Sequence, residues 1–337
     1  MLQQFIEKLR GKENLLKAEA AEAMKIIMNG KAEHDQLAEY LVLLSEKGET
    51  ADEIAGSAEV MREHAVKIMP DREPLVDVCG TGGDQSGTFN ISTTVAFVVA
   101  GTGVAVAKHG NRSVSSNSGS ACVLTELGVE INLSPEKVEQ SIEEVGIGFI
   151  YAPNFHPAMR HAAPVRQQLR RRTIFNLLGP LTNPADAKHQ LVGVFSAELV
   201  TKIAEVLRKM STTHAIVVHG DGLDELTITG EENTAFELKN GEVQYLKIDP
   251  ATLGIPLAKV EELAGKDAEY NATITRAVLD GIAGAPRNVV ILNAAAALKV
   301  ADKVDSIEAG IQLAEKSIDS GAAKKKLEEL IDFTQKA

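Results

Sequence analysis

Cysteine is scarce in this 337-residue chain. Cys79 and Cys122 are the only two, which excludes a disulfide framework, and they lack metal-ligand spacing. That usage fits a reducing cytoplasm and leaves a single disulfide open. Basic charge is also in short supply, with 35 Lys and Arg against 47 Asp and Glu and a net charge of -12. Nucleic acid and anionic membranes are held by a basic footprint, so neither is expected as a partner. Long apolar runs are missing too. The longest, Val95 to Ala107, is broken by Gly101-Thr102-Gly103 and falls short of the roughly 20 residues a spanning helix needs. The first 24 residues, MLQQFIEKLRGKENLLKAEAAEAM, carry charges every few positions, unlike a targeting segment. There is no internal repeat and no low-complexity tract. What is present is 44% hydrophobic residues, enough for a large core in two domains, or in one domain with a substantial subdomain.

Residues 1 to 69 read as helices with a 3.6-residue apolar period: Phe5 to Arg10, Ala18 to Met28, Asp35 to Glu46 and Ala51 to Ile68. Gly30 and Gly48 act as stops, and Thr50-Ala51-Asp52-Glu53 forms a capping box. Beyond Pro70, strand and helix patterns alternate, which predicts an α/β domain with a largely parallel central sheet over 70–337. Pro135 opens a helix ending at Gly146, and Asn240-Gly241 between two strand patterns marks a hairpin. Strands are expected at Gln190 to Phe195 and His214 to His219, with a helix over Ala197 to Met210 between them. The stretch from Asn154 to Pro184 is helical but broken by prolines. It is expected to join the N-terminal helical domain through about 155–185. The apolar faces of the first helices exceed what a small subdomain hides, which predicts a homodimer through them.

The densest chemistry lies between Asp77 and Ser120. Leu75 to Cys79 is a short apolar run followed by Gly80-Thr81-Gly82-Gly83-Asp84-Gln85-Ser86-Gly87, and a helical pattern starts near Ser92. Val104 to Ala107 is a second strand, Lys108 to Ser116 a second polar loop, and another helix opens near Ser118. Such loops aim backbone N–H groups at one spot, where the helix dipole also favours negative charge, so they point to phosphate. The P-loop Lys-Ser/Thr is missing, and Gln85 stands where a dinucleotide motif has its third glycine. This argues against an NTPase and against a nicotinamide enzyme. Tight turns between packed elements are the alternative reading of the glycines. Lys108 and Arg112 among hydroxyls favour phosphate. The adjacent acids Asp224-Glu225 follow a strand ending at His219 and the turn Gly220-Asp221-Gly222. Near phosphate loops they suit Mg²⁺, which takes one or two protein carboxylates and completes its shell with water and substrate oxygens. An exposed acidic turn is the competing reading.

The motifs GTGGD (80–84), FNIST (89–93), KHGNRSVSS (108–116), NFHPAMRHAAPVR (154–166), TIFNLLGPLTNPA (173–185) and HGDGLDELT (219–227) together resemble the anthranilate phosphoribosyltransferase family over essentially the whole chain. That family transfers phosphoribose from phosphoribosyl pyrophosphate (PRPP) to the amine of anthranilate in tryptophan biosynthesis. The resemblance implies PRPP-binding roles for Gly80, Gly83, Asp84, Thr88, Asn90, Ile91, Ser92, Thr93, Lys108, His109, Gly110, Asn111, Arg112, Ser113, Val114, Ser115, Ser116 and Ser120. Anthranilate would meet Gly80, Asn111 and Arg166, whose planar guanidinium suits a carboxylate. Two Mg²⁺ ions per subunit would be held through Ser92, Asp224 and Glu225, with Lys108, Asp224 and Glu225 as the catalytic group. The resemblance also implies a homodimer. Three departures stand out: Gln85 where the family often has glycine, Cys122 and Thr125 in place of Asp and Glu, and Arg170-Arg171 in place of Gly-Ile. None falls on a residue assigned to substrate or metal.

An aromatic amine is uncharged at neutral pH, so the transfer needs charge neutralisation and positioning more than a strong base. His109 and His156 stay open as proton acceptors, with structural roles the alternative. Two other functions compete. A pyrimidine nucleoside phosphorylase would carry a Lys-His-Ser-Thr-Gly-Gly type loop, which is absent. A nucleic-acid-binding paralogue would show a basic surface and would have lost Arg166 and Asp224-Glu225.

Overall fold

The computed structural model describes residues 2–84, 86–112, 118–230 and 233–337. Ser113, Val114, Ser115, Ser116 and the departure at Gln85 lie outside the described residues. Helices Gln3–Arg10, Lys17–Met28, His34–Lys47 and Ala51–Glu63 form the N-terminal group. The box at Thr50 is present: Glu53 N donates to Thr50 Oγ1 at 3.2 Å and Thr50 N to Glu53 Oε2 at 2.7 Å. Glu53 is buried and also accepts from Leu15 N and from Lys47 Nζ, so a single acid ties two helix starts together. The fourth helix stops at Glu63, short of the expected Ile68, because the chain turns to other partners. Val66 N donates to Phe155 O at 2.9 Å and Ile68 N to Pro184 O at 3.3 Å.

One sheet of seven strands carries the rest of the described chain. In sequence they are β1 (Leu75–Gly80), β2 (Ala105–Gly110), β3 (Ile147–Tyr151), β4 (His189–Gly193), β5 (His214–His219), β6 (Thr234–Lys239) and β7 (Glu242–Tyr245). Their spatial order is β3-β2-β1-β4-β5-β6-β7. The first five are parallel, and β6 and β7 add antiparallel at one edge. The parallel strands are almost wholly buried, as expected when both faces are covered. The β6–β7 turn is made by Asn240 (φ 54°) and Gly241 (φ 79°), the paired positive angles a two-residue hairpin requires.

Two large apolar clusters flank the sheet. One gathers the helix Ile91–Gly101 with the C-terminal helices, including Ala285–Val300. The other joins the N-terminal helices to Ala162, Val165, Ile174, Phe175, Leu178 and Leu181 and to the opposite sheet face. No helix among the described residues is long and apolar enough to cross a membrane.

β2 differs from its expected bounds. It runs on through Lys108, His109 and Gly110, which pair with Phe149, Ile150 and Tyr151 of β3. Their polarity suggests a loop, yet Lys108 and His109 are buried. β3 itself, a short apolar run after Gly146, is not distinguishable from a buried helix segment by periodicity.

Candidate functional site

The C-terminal ends of the parallel strands β1, β2, β4 and β5 lie along one edge of the sheet, the edge at which open α/β sheets place their ligands. The loop leaving β1 has Gly82 at φ 66°, Gly83 at 76° and Gly87 at 67°, angles that only glycine adopts without strain. It is held directly to the acidic turn after β5. Gly82 N donates to Asp224 Oδ2 at 2.7 Å, and Ser92 N, in the first turn of Ile91–Gly101, donates to Glu225 Oε1 at 3.2 Å. A Cβ at Gly80 would collide with the Asp224 carboxylate, and one at Gly193 with the Asp224 backbone. These two glycines let the turn sit against the strand ends.

The acids are crowded. Asp224 N donates to Asp84 Oδ2 at 3.3 Å. Burial first, and then the Asp84 charge, push the Asp224 carboxyl well above the usual carboxylate range. Burial and the Asp224 charge do the same to Glu225, opposed by Lys108. Lys108 acts on Glu225 from beneath the loop. Its Nζ donates to Val78 O at 2.6 Å and lies 3.4 Å from Ser92 Oγ, and it faces buried Asp77, raised by burial and lowered by Lys108. Oxygen donors packed with too little positive charge fit a divalent cation of the Mg²⁺ kind.

Asn90 ties the two loops together. Its Nδ2 donates to Ser118 O at 3.2 Å, and its Oδ1 accepts from Asn271 Nδ2 at 3.0 Å. Thr88 bridges to Ala264, and Gly265 N donates to Gly87 O at 2.7 Å. Thr93 Oγ1 is buried without a partner among the described residues. Asn111 and Ser120 meet at the second loop, where Ser120 Oγ donates to Asn111 O at 3.2 Å and Arg112 N to Asn111 Oδ1 at 2.7 Å.

Arg166, in the short helix Ala163–Leu169, lies over the Phe175 ring at 5.2 Å. Burial lowers its pKa, and no acid pairs with it among the described residues. Arg171, by contrast, pairs with Glu46 at 3.0 Å. Arg172 stacks on Phe195 at 3.9 Å and donates to Gly83 O, while its own carbonyl accepts from Ser45 Oγ at 3.2 Å. The helical group thus reaches the first loop through Arg172, a contact the local basic run signals only as charge.

His109 and His156 form a buried pair. His109 Nδ1 must donate to Gly179 O (3.2 Å), so its Nε2 accepts from His156 Nε2 at 3.2 Å. Burial lowers His109 to about 3 and His156 to about 4. Both are neutral at physiological pH and weak proton acceptors, which favours the structural alternative. Two buried amides escaped the sequence reading. Asn183 Nδ2 donates to Asp77 Oδ2 and to Ala107 O, each at 2.8 Å, bracing β1 against β2. Asn293 holds Leu226, directly after Glu225, by Leu226 N to Oδ1 at 3.0 Å and Nδ2 to Leu226 O at 2.8 Å. For Asn293 the available signal was a single polar residue in the otherwise apolar run 289–298.

Comparison with known proteins agrees with this geometry. Residues 72–324 match the model of a glycosyl transferase family, a/b domain, and residues 3–65 its helical bundle domain. Within that class, anthranilate phosphoribosyltransferase of Petrotoga mobilis is 50% identical, covering 99% of this chain and 97% of its own. That of Acetivibrio thermocellus is 52% identical over 99% and 97%. The crystal structure of anthranilate phosphoribosyltransferase from Thermus thermophilus superposes with TM-score 0.92 at 43% identity, covering 98% of this chain and 99% of that one. The Saccharomyces cerevisiae enzyme in complex with PRPP and Mg superposes with TM-score 0.91 at 26% identity, over 100% and 98%. This chain belongs to the anthranilate phosphoribosyltransferase family.

Proposed function

We propose that this protein transfers the phosphoribosyl group of PRPP to the amine of anthranilate, giving N-(5-phosphoribosyl)anthranilate and pyrophosphate, a step of tryptophan biosynthesis. One observation carries the reading in this family member. The glycine loop after β1 and the acids after β5 are joined at one strand edge, by Gly82 N to Asp224 and by Ser92 N to Glu225. Under this reading PRPP lies on Gly80, Gly83, Asp84, Thr88, Asn90 to Thr93, Lys108 to Ser116 and Ser120, and anthranilate meets Gly80, Asn111 and Arg166. Ser92, Asp224 and Glu225 would hold Mg²⁺, two ions per subunit, whose charge offsets that of the pyrophosphate when bound.

The chain's own residues supply the rest. Lys108 sets the potential beneath the loop, where its charge opposes Asp77 and Glu225. Arg166, already desolvated and without an acid partner among the described residues, orients the acceptor by its carboxylate, so that the neutral amine faces the ribose carbon. Arg172 fixes the loop at Gly83. Pyrophosphate leaves C1, an oxocarbenium-like centre develops, and the amine attacks from the opposite face with inversion. No side chain has to remove a proton before attack; the proton that the nitrogen sheds after the C–N bond forms passes to the departing pyrophosphate or to solvent.

The domain division at Pro70, the cytoplasmic location and a homodimer through the N-terminal helices belong to the same reading. PRPP- and Mg²⁺-dependent loss of anthranilate fluorescence tests the activity. A protein that folds but leaves the fluorescence unchanged, or that instead cleaves pyrimidine nucleosides with phosphate, overturns it. Sedimentation showing a fully active monomer at micromolar concentration removes the dimer alone.

A further inference from the structure

The opposite edge of the sheet holds a second constellation. β4 and β5 begin at His189 and His214, which are register partners, so both lie at the N-terminal ends of the strands, away from the glycine loop. Asp302 reaches them from the turn that follows Ala285–Val300. One ring nitrogen of each histidine and one carboxylate oxygen of Asp302 lie within 4.8 Å of one another, the one such group of three among the described residues. Both histidines are buried, His214 completely.

The surrounding hydrogen bonds fix where the lone pairs are. His189 Nδ1 lies 2.6 Å from Val300 O. A carbonyl only accepts, so Nδ1 carries the hydrogen and Nε2 the lone pair. His214 Nε2 lies 2.8 Å from Glu237 Oε1, and its Nδ1 lies 3.1 Å from Asp302 Oδ1. Glu237, held by His214 and Lys299, is an ionised acceptor. A neutral His214 gives its one hydrogen to Glu237. Its Nδ1 lone pair then faces a carboxylate oxygen, two acceptors at hydrogen-bond distance, and a positive centre has to lie between them. That centre is either a second ring proton or a metal ion. A histidine whose far nitrogen is hydrogen-bonded to a carboxylate or a backbone carbonyl is the arrangement that orients metal-binding imidazoles and raises their basicity. Here it occurs twice, at His214 with Glu237 and at His189 with Val300.

We propose that His189, His214 and Asp302 bind a divalent transition metal of the zinc type, with Glu237 and the Val300 carbonyl as orienting partners. Two imidazoles and one carboxylate suit such an ion, whereas Mg²⁺ prefers an all-oxygen shell. The site is therefore chemically distinct from the acids after β5. Zinc bond lengths of about 2.0–2.1 Å place tetrahedral ligand atoms roughly 3.3 Å apart, so the group closes slightly on binding. Asp302, exposed at its turn, is the member free to move. Lys239 is a built-in competitor, because its Nζ lies 2.7 Å from the same Asp302 Oδ1. It is half exposed and can swing into solvent.

The test is titration of the full chain with Co²⁺, followed by visible absorption, and with Zn²⁺, followed by calorimetry, in millimolar Mg²⁺ so that oxygen-only sites are filled. The expected result is one ion per chain. His189→Gln and Asp302→Asn should weaken it at least tenfold, and Lys239→Met should tighten it several-fold. Asp224→Ala with Glu225→Ala should leave it unchanged. Lys239→Met removes no core packing and so decides the matter even if the histidine variant folds poorly. No Co²⁺ band in the wild type, an affinity indifferent to Lys239 and Asp302, or loss of binding in the Asp224/Glu225 variant would overturn the site. The first of these outcomes would assign the bridging position to a ring proton.

Discussion

Removing the Asn293 carboxamide tests whether the acidic turn is held from behind. Asn293 is buried in an apolar helix, accepts from Leu226 N, and donates to Leu226 O at 2.8 Å and Val289 O at 2.9 Å. Leu226 is itself fully buried, so Asn293→Ala leaves both of its backbone groups without their partner. Each orphaned buried group costs roughly 1–3 kcal/mol, and a loss of about 3 kcal/mol is a moderate sum of the two. Spread over 337 residues, an unfolding entropy of about 2.1 cal/mol/K per residue converts this to a fall in Tm of about 4 °C for one cooperative transition. Function should suffer more than stability, because Glu225 immediately precedes the released residue. Under the proposed function Glu225 holds Mg²⁺, and loosening the residue next to a metal ligand resembles loss of an outer partner, which typically weakens metal affinity by about 10–100-fold, so the Mg²⁺ concentration for half-maximal activity should rise by at least tenfold. Asn293→Leu keeps the volume and loses the same bonds, and should behave alike. Calorimetry and a Mg²⁺ titration of the fluorescence assay read both effects. A Tm within about 1 °C of wild type together with an unchanged Mg²⁺ requirement would refute the reasoning.

Arg166→Ala should raise the anthranilate KM roughly 30- to 150-fold with little change in the PRPP KM, since a charge-assisted contact made equally in ground and transition states is uniform binding of about 2–3 kcal/mol. Collapse of PRPP affinity instead would move Arg166 to the phosphate side. Asp224→Ala with Glu225→Ala should nearly abolish turnover without loss of stability at about pH 8. Their raised carboxyls mean that the folded state disfavours the charged forms, a penalty present above the folded pKa and relieved as pH falls; a large destabilisation in the double variant under those conditions would contradict this. For His109 and His156 the sign is opposite to that of a stabilised cation. Their pKa values of about 3 and about 4 lie below the unfolded value, so stability is complete above about pH 6.5 and is lost as pH falls toward about 4. Denaturation midpoints for His109→Gln with His156→Gln should flatten in that window, and a curve parallel to wild type would exclude the pair as its cause.

Much of this was legible in the chain because local and global signals coincide. The loop after Leu75–Gly80, the cap at Thr50 and the turn at Asn240-Gly241 each follow from backbone chemistry within a few residues. Misreadings arose where a tertiary partner overrides the local pattern. Lys108 and His109 look like loop residues until β3 lies beside them. The helix from Ala51 ends early because Phe155 and Pro184 take its next backbone donors. Asp77 and Asn183 are 106 positions apart, so neither announces the other in sequence. The Arg170 departure also acquires meaning only in three dimensions: it caps the helix Ala163–Leu169 at φ 45°, a left-handed position where the family's usual glycine is unstrained.

A chain of net charge -12 that binds a polyphosphate must solve the repulsion locally, and the residues at the strand ends show how. Asp84, Asp224 and Glu225 converge at the glycine loop with one buried lysine beneath, and the folded state disfavours ionising the latter two acids. Each acid left charged there repels a phosphate as well as its neighbour. Under the proposed function, a divalent cation reverses both effects, since the crowding that raises the carboxyl pKa values is what makes them good ligands for it. PRPP and Mg²⁺ should then bind with strong mutual dependence, and by linkage each must raise the other's affinity by the same factor. The acidic excess of the chain is therefore compatible with a phosphate site, because selectivity for the metal-loaded substrate is built from the negative charge itself.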